Sequence, residues 1–124
     1  MTLEEDIQIV NLPKKGTFKL VQLKLDDHPV MLCGPLVDCH KFILRDYLES
    51  QNIPIQSFRQ DSKKLITLEG PRYIVVGMGV CNIDLEVKYF SLPYGESQDY
   101  RIGPSEDFEK RLRLQFADWN FQFH

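Results

Sequence analysis

The chain has 124 residues, 43% hydrophobic and 27% charged, enough for one core and too short for two domains. Its net charge of −3 argues against a general binder of nucleic acid or anionic membranes, while leaving room for a local basic site. No apolar run reaches the roughly 18–20 residues that a membrane helix needs.

The start, Met1-Thr2-Leu3-Glu4-Glu5-Asp6, is acidic, the opposite of a secretory or mitochondrial leader. Three sparse cysteines, Cys33, Cys39 and Cys81, argue against a disulfide framework and for a reducing compartment. A cytoplasmic location is the expectation. After Gly16 the chain alternates, which predicts a strand over 18–25 with Lys19, Val21, Leu23 and Leu25 on one face. Asp26-Asp27-His28-Pro29 reads as a turn, and Val30-Met31-Leu32-Cys33 as a short strand ended by Gly34-Pro35. A helix follows, with Asp38 as N-cap and a stripe of Ile43, Leu44, Tyr47 and Leu48, fading at Ser50-Gln51-Asn52. Extended chain is expected from Ile53 to Phe58, a loop over 60–64, a strand over 65–68 and a buried strand from Tyr73 to Val76. Ile83, Leu85, Val87 and Tyr89 alternate with polar residues, predicting a half-buried strand before a loop over 93–97. A second helix is expected after Pro104, with Ser105 as cap and Phe108, Leu112 and Phe116 as stripe. Acidic residues sit early in it and basic ones late, as the helix dipole favours. Trp119, Phe121 and Phe123 predict a terminal strand. The order implies one α/β domain, a mixed sheet of about six strands packed by two helices.

His40 is the histidine placed inside a predicted element, in the first turn of a helix. Free N–H groups and the positive dipole end favour a phosphate there. The plainer alternative is a histidine that packs or hydrogen-bonds at the sheet edge. His28 lies in a turn and His124 is the last residue, so both read as solvated groups. Cys33, Cys39 and His40 lack a four-ligand zinc pattern. Cys39 and Arg45 have the Cys-x5-Arg spacing of cysteine-dependent phosphatases. Their intervening His-Lys-Phe-Ile-Leu fits an amphipathic helix rather than a glycine-bearing loop curled around phosphate. Lys19 falls on the apolar face of its strand, either as a functional cation or as a snorkelling side chain. Ser91-Leu92-Pro93-Tyr94-Gly95 offers a hydroxyl and bare amides that suit an anion site or an ordinary turn.

Together these segments resemble the small protein-phosphohistidine phosphatase (Janus/ocnus) family. Gly16-Thr17-Phe18-Lys19-Leu20-Val21 is similar to the family's opening strand. Val30-Met31-Leu32-Cys33-Gly34, with His40 six residues after the glycine, is similar to its aliphatic-Arg-Gly segment. Tyr89-Phe90-Ser91-Leu92-Pro93-Tyr94-Gly95 is similar to its serine- and glycine-bearing strand and loop. The resemblance covers most of the chain in order. It implies a metal-independent, cofactor-free, monomeric phosphatase acting on phosphohistidine in proteins. His40 would be the reactive histidine, as nucleophile or base. Lys19, Ser91, Tyr94 and Gly95 would hold the phosphoryl group. The family's Gly-Gly-Gly-Arg-Ile turn has two counterparts here: Glu69-Gly70-Pro71-Arg72-Tyr73, which would add Arg72 to the phosphate site, or Gly77-Met78-Gly79-Val80, which has no arginine. Cys33 and Cys39 stand where the family has arginine and tyrosine, and the segment from His40 to Ser91 is longer than the family's. The same departures fit a non-catalytic module that binds phosphorylated or acidic partners through the same pocket.

Overall fold

Alternation along one long strand divides the interior into two cores. A computed structural model describes residues 5–122. In β2 (Lys15–Leu25), Val21 and Leu23 face one side of the sheet, and Phe18 and Leu20 the other. β3 (His28–Gly34) pairs antiparallel with β2 and divides in the same way, Val30 and Leu32 against Met31 and Cys33. β6 (Tyr73–Asp84) covers the other edge of β2 antiparallel, with a register shift between Gln22 and Leu23. β1 (Gln8–Val10) adds to β3 in parallel. β7 (Tyr89–Ser91) returns antiparallel on β6, and β8 (Asn120–Gln122) joins β7 in parallel. The result is a six-stranded mixed sheet in the order β1-β3-β2-β6-β7-β8, with one helix on each face. This is the α/β fold the patterning implies.

α1 (His40–Ser50) buries Ile43, Leu44, Tyr47 and Leu48 against the face carrying Val21 and Leu23. Leu44 and Leu48 are fully buried, each contributing about 1.5–3 kcal/mol relative to exposure. α2 (Glu106–Gln115) sets Phe108 and Leu112 against Leu20, Cys81 and Phe90 on the opposite face. Its Ser105 cap accepts a hydrogen bond from the Phe108 amide at 3.3 Å. Among the described residues no helix is long and apolar enough to cross a membrane.

Several boundaries differ from expectation. The N-cap of α1 is Cys39, not Asp38, because the Asp38 amide is turned back onto the Pro35 carbonyl. The strand expected to end at Val76 runs on to Asp84, carrying Gly77 and Gly79 inside it, since both its edges are paired there. The strand expected over 83–89 is broken. The chain reverses over 85–88, with Lys88 at φ 53°, leaving Leu85 and Val87 exposed. The expected loop over 60–64 is a tight hairpin joining β4 (Ser57–Gln60) to β5 (Lys63–Ile66). Asp61 and Ser62 both adopt positive φ, as a two-residue hairpin turn demands. Phe123 and His124 lie outside the described residues.

Candidate functional site

Lys19 sits in β2 opposite Gly34, the last residue of β3, and Val80 of β6. Strand alternation puts it on the face of Val21 and Leu23, as expected, and its half-buried stem carries the ammonium towards the start of the helix. There Nζ donates to the Asp38 carbonyl at 2.7 Å. This bond ties the strand to the loop that leads into α1. Among the described residues no side chain caps α1, which leaves its first amide groups without a side-chain partner.

His40 opens α1 and is 7% exposed. Its Nε2 lies 3.0 Å from the Gly79 carbonyl oxygen. A carbonyl only accepts, so Nε2 must carry the proton, and in the neutral ring the lone pair is on Nδ1. Burial is the main cause that lowers the imidazole pKa below its usual value, and the Lys19 charge adds to it. The hydrogen bond to Gly79 and the Asp99 carboxylate oppose the shift. The net effect is a neutral imidazole with a fixed tautomer. Gly79 allows the close approach of its neighbours: a Cβ there would fall 2.7 Å from the Tyr94 carbonyl oxygen and 2.9 Å from Pro104 Cγ.

Lys19, Cys39 and His40 line a cavity of about 640 Å³. Its other walls bring Lys41 from α1, Lys63 from the β4–β5 hairpin, and Glu96 and Asp99 from the loop before α2. The hairpin and the loop are bound together. Lys63 Nζ bonds Asp99 Oδ1 at 2.7 Å, Gln60 Nε2 donates to the Asp99 carbonyl at 2.8 Å, and Arg101 pairs with Asp61. The buried Tyr100 hydroxyl accepts from the Ile66 amide and donates to the Ile66 carbonyl. Lys63 holds the Asp99 carboxyl below the usual carboxylate range.

The structure brings Lys19 and His40 together, turns Ser91 into the sheet interior and keeps Arg72 out of the site, while the Tyr94–Gly95 backbone runs beside Gly79 and Val80 at the cavity's edge. Ser91 is fully buried, its hydroxyl accepting from the Asn82 amide at 2.8 Å and facing Cys81 Sγ, so it is used inside the sheet. The Tyr94 backbone pairs with Val80, and its hydroxyl accepts from Asn82 Nδ2 at 3.2 Å. Gly95, at φ 75°, turns the chain so that Glu96 reaches the cavity wall. Arg72 does not join the site. It lies just before the far end of β6, roughly 25 Å from Val80 at about 3.3 Å per residue, and forms a two-point ion pair with Asp26. Of the two glycine segments, Gly77–Val80 is the one beside His40. Cys39 lies in the cavity wall, but the residues between it and Arg45 are helical and form no phosphate-cradling loop.

Sequence reasoning missed Lys63, Asp99 and the Gly79 carbonyl. The first two come from loops whose meeting depends on the β4–β5 hairpin, and its only sequence signal is the turn-prone Asp61-Ser62 pair. Gly79 was visible only as one of two glycine-bearing segments. Among the described residues, no group of three His, Cys, Asp or Glu side chains is placed to hold a metal ion. No family model matches this sequence, and no curated protein matches it.

Proposed function

We propose that the chain is a cytoplasmic, monomeric protein-phosphohistidine phosphatase in which His40 acts on a phosphoryl group held by Lys19. One observation carries this reading. A buried imidazole, held neutral with its Nδ1 lone pair available, shares a cavity with a lysine at the uncapped start of a helix. The resemblance of the Lys19, His40 and Ser91–Gly95 segments to the Janus family supports the substrate class.

Phosphoryl transfer asks mainly for in-line positioning and stabilisation of the equatorial oxygens. Lys19 Nζ and the first amides of α1 offer positive charge for those oxygens. The Nδ1 lone pair of His40 either accepts the phosphoryl group, which a later in-line water removes as phosphate to restore the imidazole, or draws a proton from a water that attacks the substrate directly. In both routes the nitrogen–phosphorus bond breaks and its electron pair returns to the departing ring. Neither route calls on a metal, in line with what the resemblance implies.

The test is dephosphorylation of a phosphohistidine-containing protein, in EDTA, by wild type, His40→Ala and Cys39→Ser. Turnover lost in His40→Ala and kept in Cys39→Ser supports the histidine enzyme. Turnover lost in Cys39→Ser and partly kept in His40→Ala points to a cysteine phosphatase. A folded wild type without turnover sinks the enzymatic reading. It leaves a module that binds phosphorylated or acidic partners through the same cavity, a second reading favoured by the distance of Arg72 from the site.

A further inference from the structure

We propose that Asp99 is a specificity-determining residue of this cavity, accepting the ring N–H of a phosphorylated imidazole whose phosphoryl group lies against Lys19 and His40. The inference rests on the phosphohistidine reading and deepens it.

The charges of the wall are mixed. Lys19, Lys41 and Lys63 suit an anion, yet Glu96 and Asp99 stand in the same wall. A carboxylate beside a bare phosphate or a phosphate ester repels it, so a site built for those ligands gains nothing from Asp99. A phosphorylated imidazole is different, because it carries a dianionic end and a ring nitrogen that holds a proton. The lysines match the first and a carboxylate matches the second. Asp99 is also held in place rather than left on a loose loop. Its carbonyl accepts from Gln60 Nε2, and the adjoining Tyr100 amide donates to Ser97 Oγ at 3.2 Å. Lys63 takes Oδ1, and no described residue donates to Oδ2. One carboxylate oxygen therefore remains for a ligand. When the nitrogen–phosphorus bond breaks, its pair returns to the ring nitrogen. The ring keeps the proton on its other nitrogen and departs neutral, so the bond to Asp99 favours the protonated form that leaves readily. An oxygen-linked phosphate has no such N–H.

The experiment compares phosphoimidazole with phenyl phosphate as substrates and, by NMR shift titration, as ligands. It uses wild type, Asp99→Asn, Asp99→Glu and Lys63→Gln, each checked for folding by circular dichroism. The expected result is a wild-type preference for phosphoimidazole. Asp99→Asn loses about 10- to 100-fold on that compound and gains on phenyl phosphate, because the repelling charge is removed. Asp99→Glu keeps the preference, and if the asparagine variant does not fold, a preference lost in the glutamate variant counts against the proposal. Lys63→Gln, which breaks the same ion pair but spares the carboxylate, weakens both ligands alike. A wild type that turns over neither compound overturns the enzymatic reading alone if it still prefers phosphoimidazole in binding and Asp99→Asn abolishes that preference. Equal losses on both compounds in Asp99→Asn, or no binding of either by wild type, overturn the role of Asp99.

Discussion

Nε2 of His40 lies 3.0 Å from the carbonyl oxygen of Gly79, and this bond fixes which ring nitrogen of the buried imidazole is available for chemistry. The same contact makes His40 a reporter of the cavity's charges. Folding disfavours the imidazolium, chiefly through burial, so His40 should titrate below the usual value of about 6.5. The sign for stability follows. The unfolded chain takes up this proton first, so the contribution of the neutral ring is complete above about pH 6.5 and is lost as pH falls through the lowered folded value. A histidine NMR titration checks the assignment. Lys19→Met should move the His40 midpoint up, because a nearby positive charge is removed, and Asp99→Asn should move it down. A midpoint insensitive to both variants would mean that neither charge faces the ring.

Lys19 is expected to act in binding rather than in folding. Its ammonium reaches the Asp38 carbonyl, and its strand is held on both sides by long ladders that do not involve the side chain. Replacing Lys19 by Met should lower kcat/KM on a phosphohistidine protein by about 10²-fold, the scale of losing one preorganised charge on a transition state. The thermal midpoint should change little. Arg at the same position should restore part of the loss, since it keeps the charge but not the compact ammonium geometry. A large fall in melting temperature with unchanged kcat/KM would reassign Lys19 as a tether for the loop before α1.

The two halves of the site differ in how far they could be read from sequence. Local pattern marks Lys19 and His40 only as ambiguous, one a charge on an apolar strand face and one a histidine in the first turn of a helix, and the family resemblance is what singles them out. Period-two and helical spacing gave β2, β3, α1, α2 and the α/β class. The patterns failed where local chemistry was ambiguous. Leu85 and Val87 alternate as a strand should, yet lie exposed in a turn, because pairing beyond Asp84 is decided by where the chain reverses. Gly77 and Gly79, from one of the two counterparts of the family's glycine-rich turn, serve instead as places where other backbone approaches a paired strand. Asp99 and Lys63 have no local signature, since their contact bridges 36 residues through tertiary packing.

Arg72 marks the opposite case, a residue that sequence resemblance assigns to the phosphate site and the structure assigns elsewhere. It holds Asp26 by paired bonds of 3.1 and 2.7 Å, and the Arg72 carbonyl also accepts from the Asp26 amide. Arg72→Ala should leave phosphate binding and turnover within twofold of wild type, and its salt-dependent effect on stability should be small for so exposed a pair. Turnover assays and thermal melts at low and high salt check both parts. A substantial loss of phosphate affinity would require Arg72 to approach the cavity in a different arrangement of the chain.

The close contact beneath α2 gives a prediction about stability alone. Gln22 is fully buried, and its Oε1 accepts from the Ser105 amide at 2.7 Å, at the cap of the helix. Among the described residues its Nε2 has no hydrogen-bond partner, so what the side chain supplies to this junction is the acceptor. Gly77 lies directly under this junction. A Cβ there would collide with Gln22 Oε1, would stand 2.6 Å from the Ser105 amide nitrogen and would lie 3.1 Å from the Gly103 carbonyl oxygen. Gly77→Ala should therefore destabilise the fold by about 1–3 kcal/mol, the usual scale of overpacking. The first collision is with a side chain and can be removed, but the second is with backbone and cannot. The double variant Gly77→Ala, Gln22→Ala should thus fail to recover the loss, because it keeps the clash at Ser105 and also orphans the cap amide. Urea unfolding of the two single variants and the double decides the matter. Recovery in the double variant would show that the Gln22 side chain, rather than the backbone at the start of α2, sets the limit on space at Gly77.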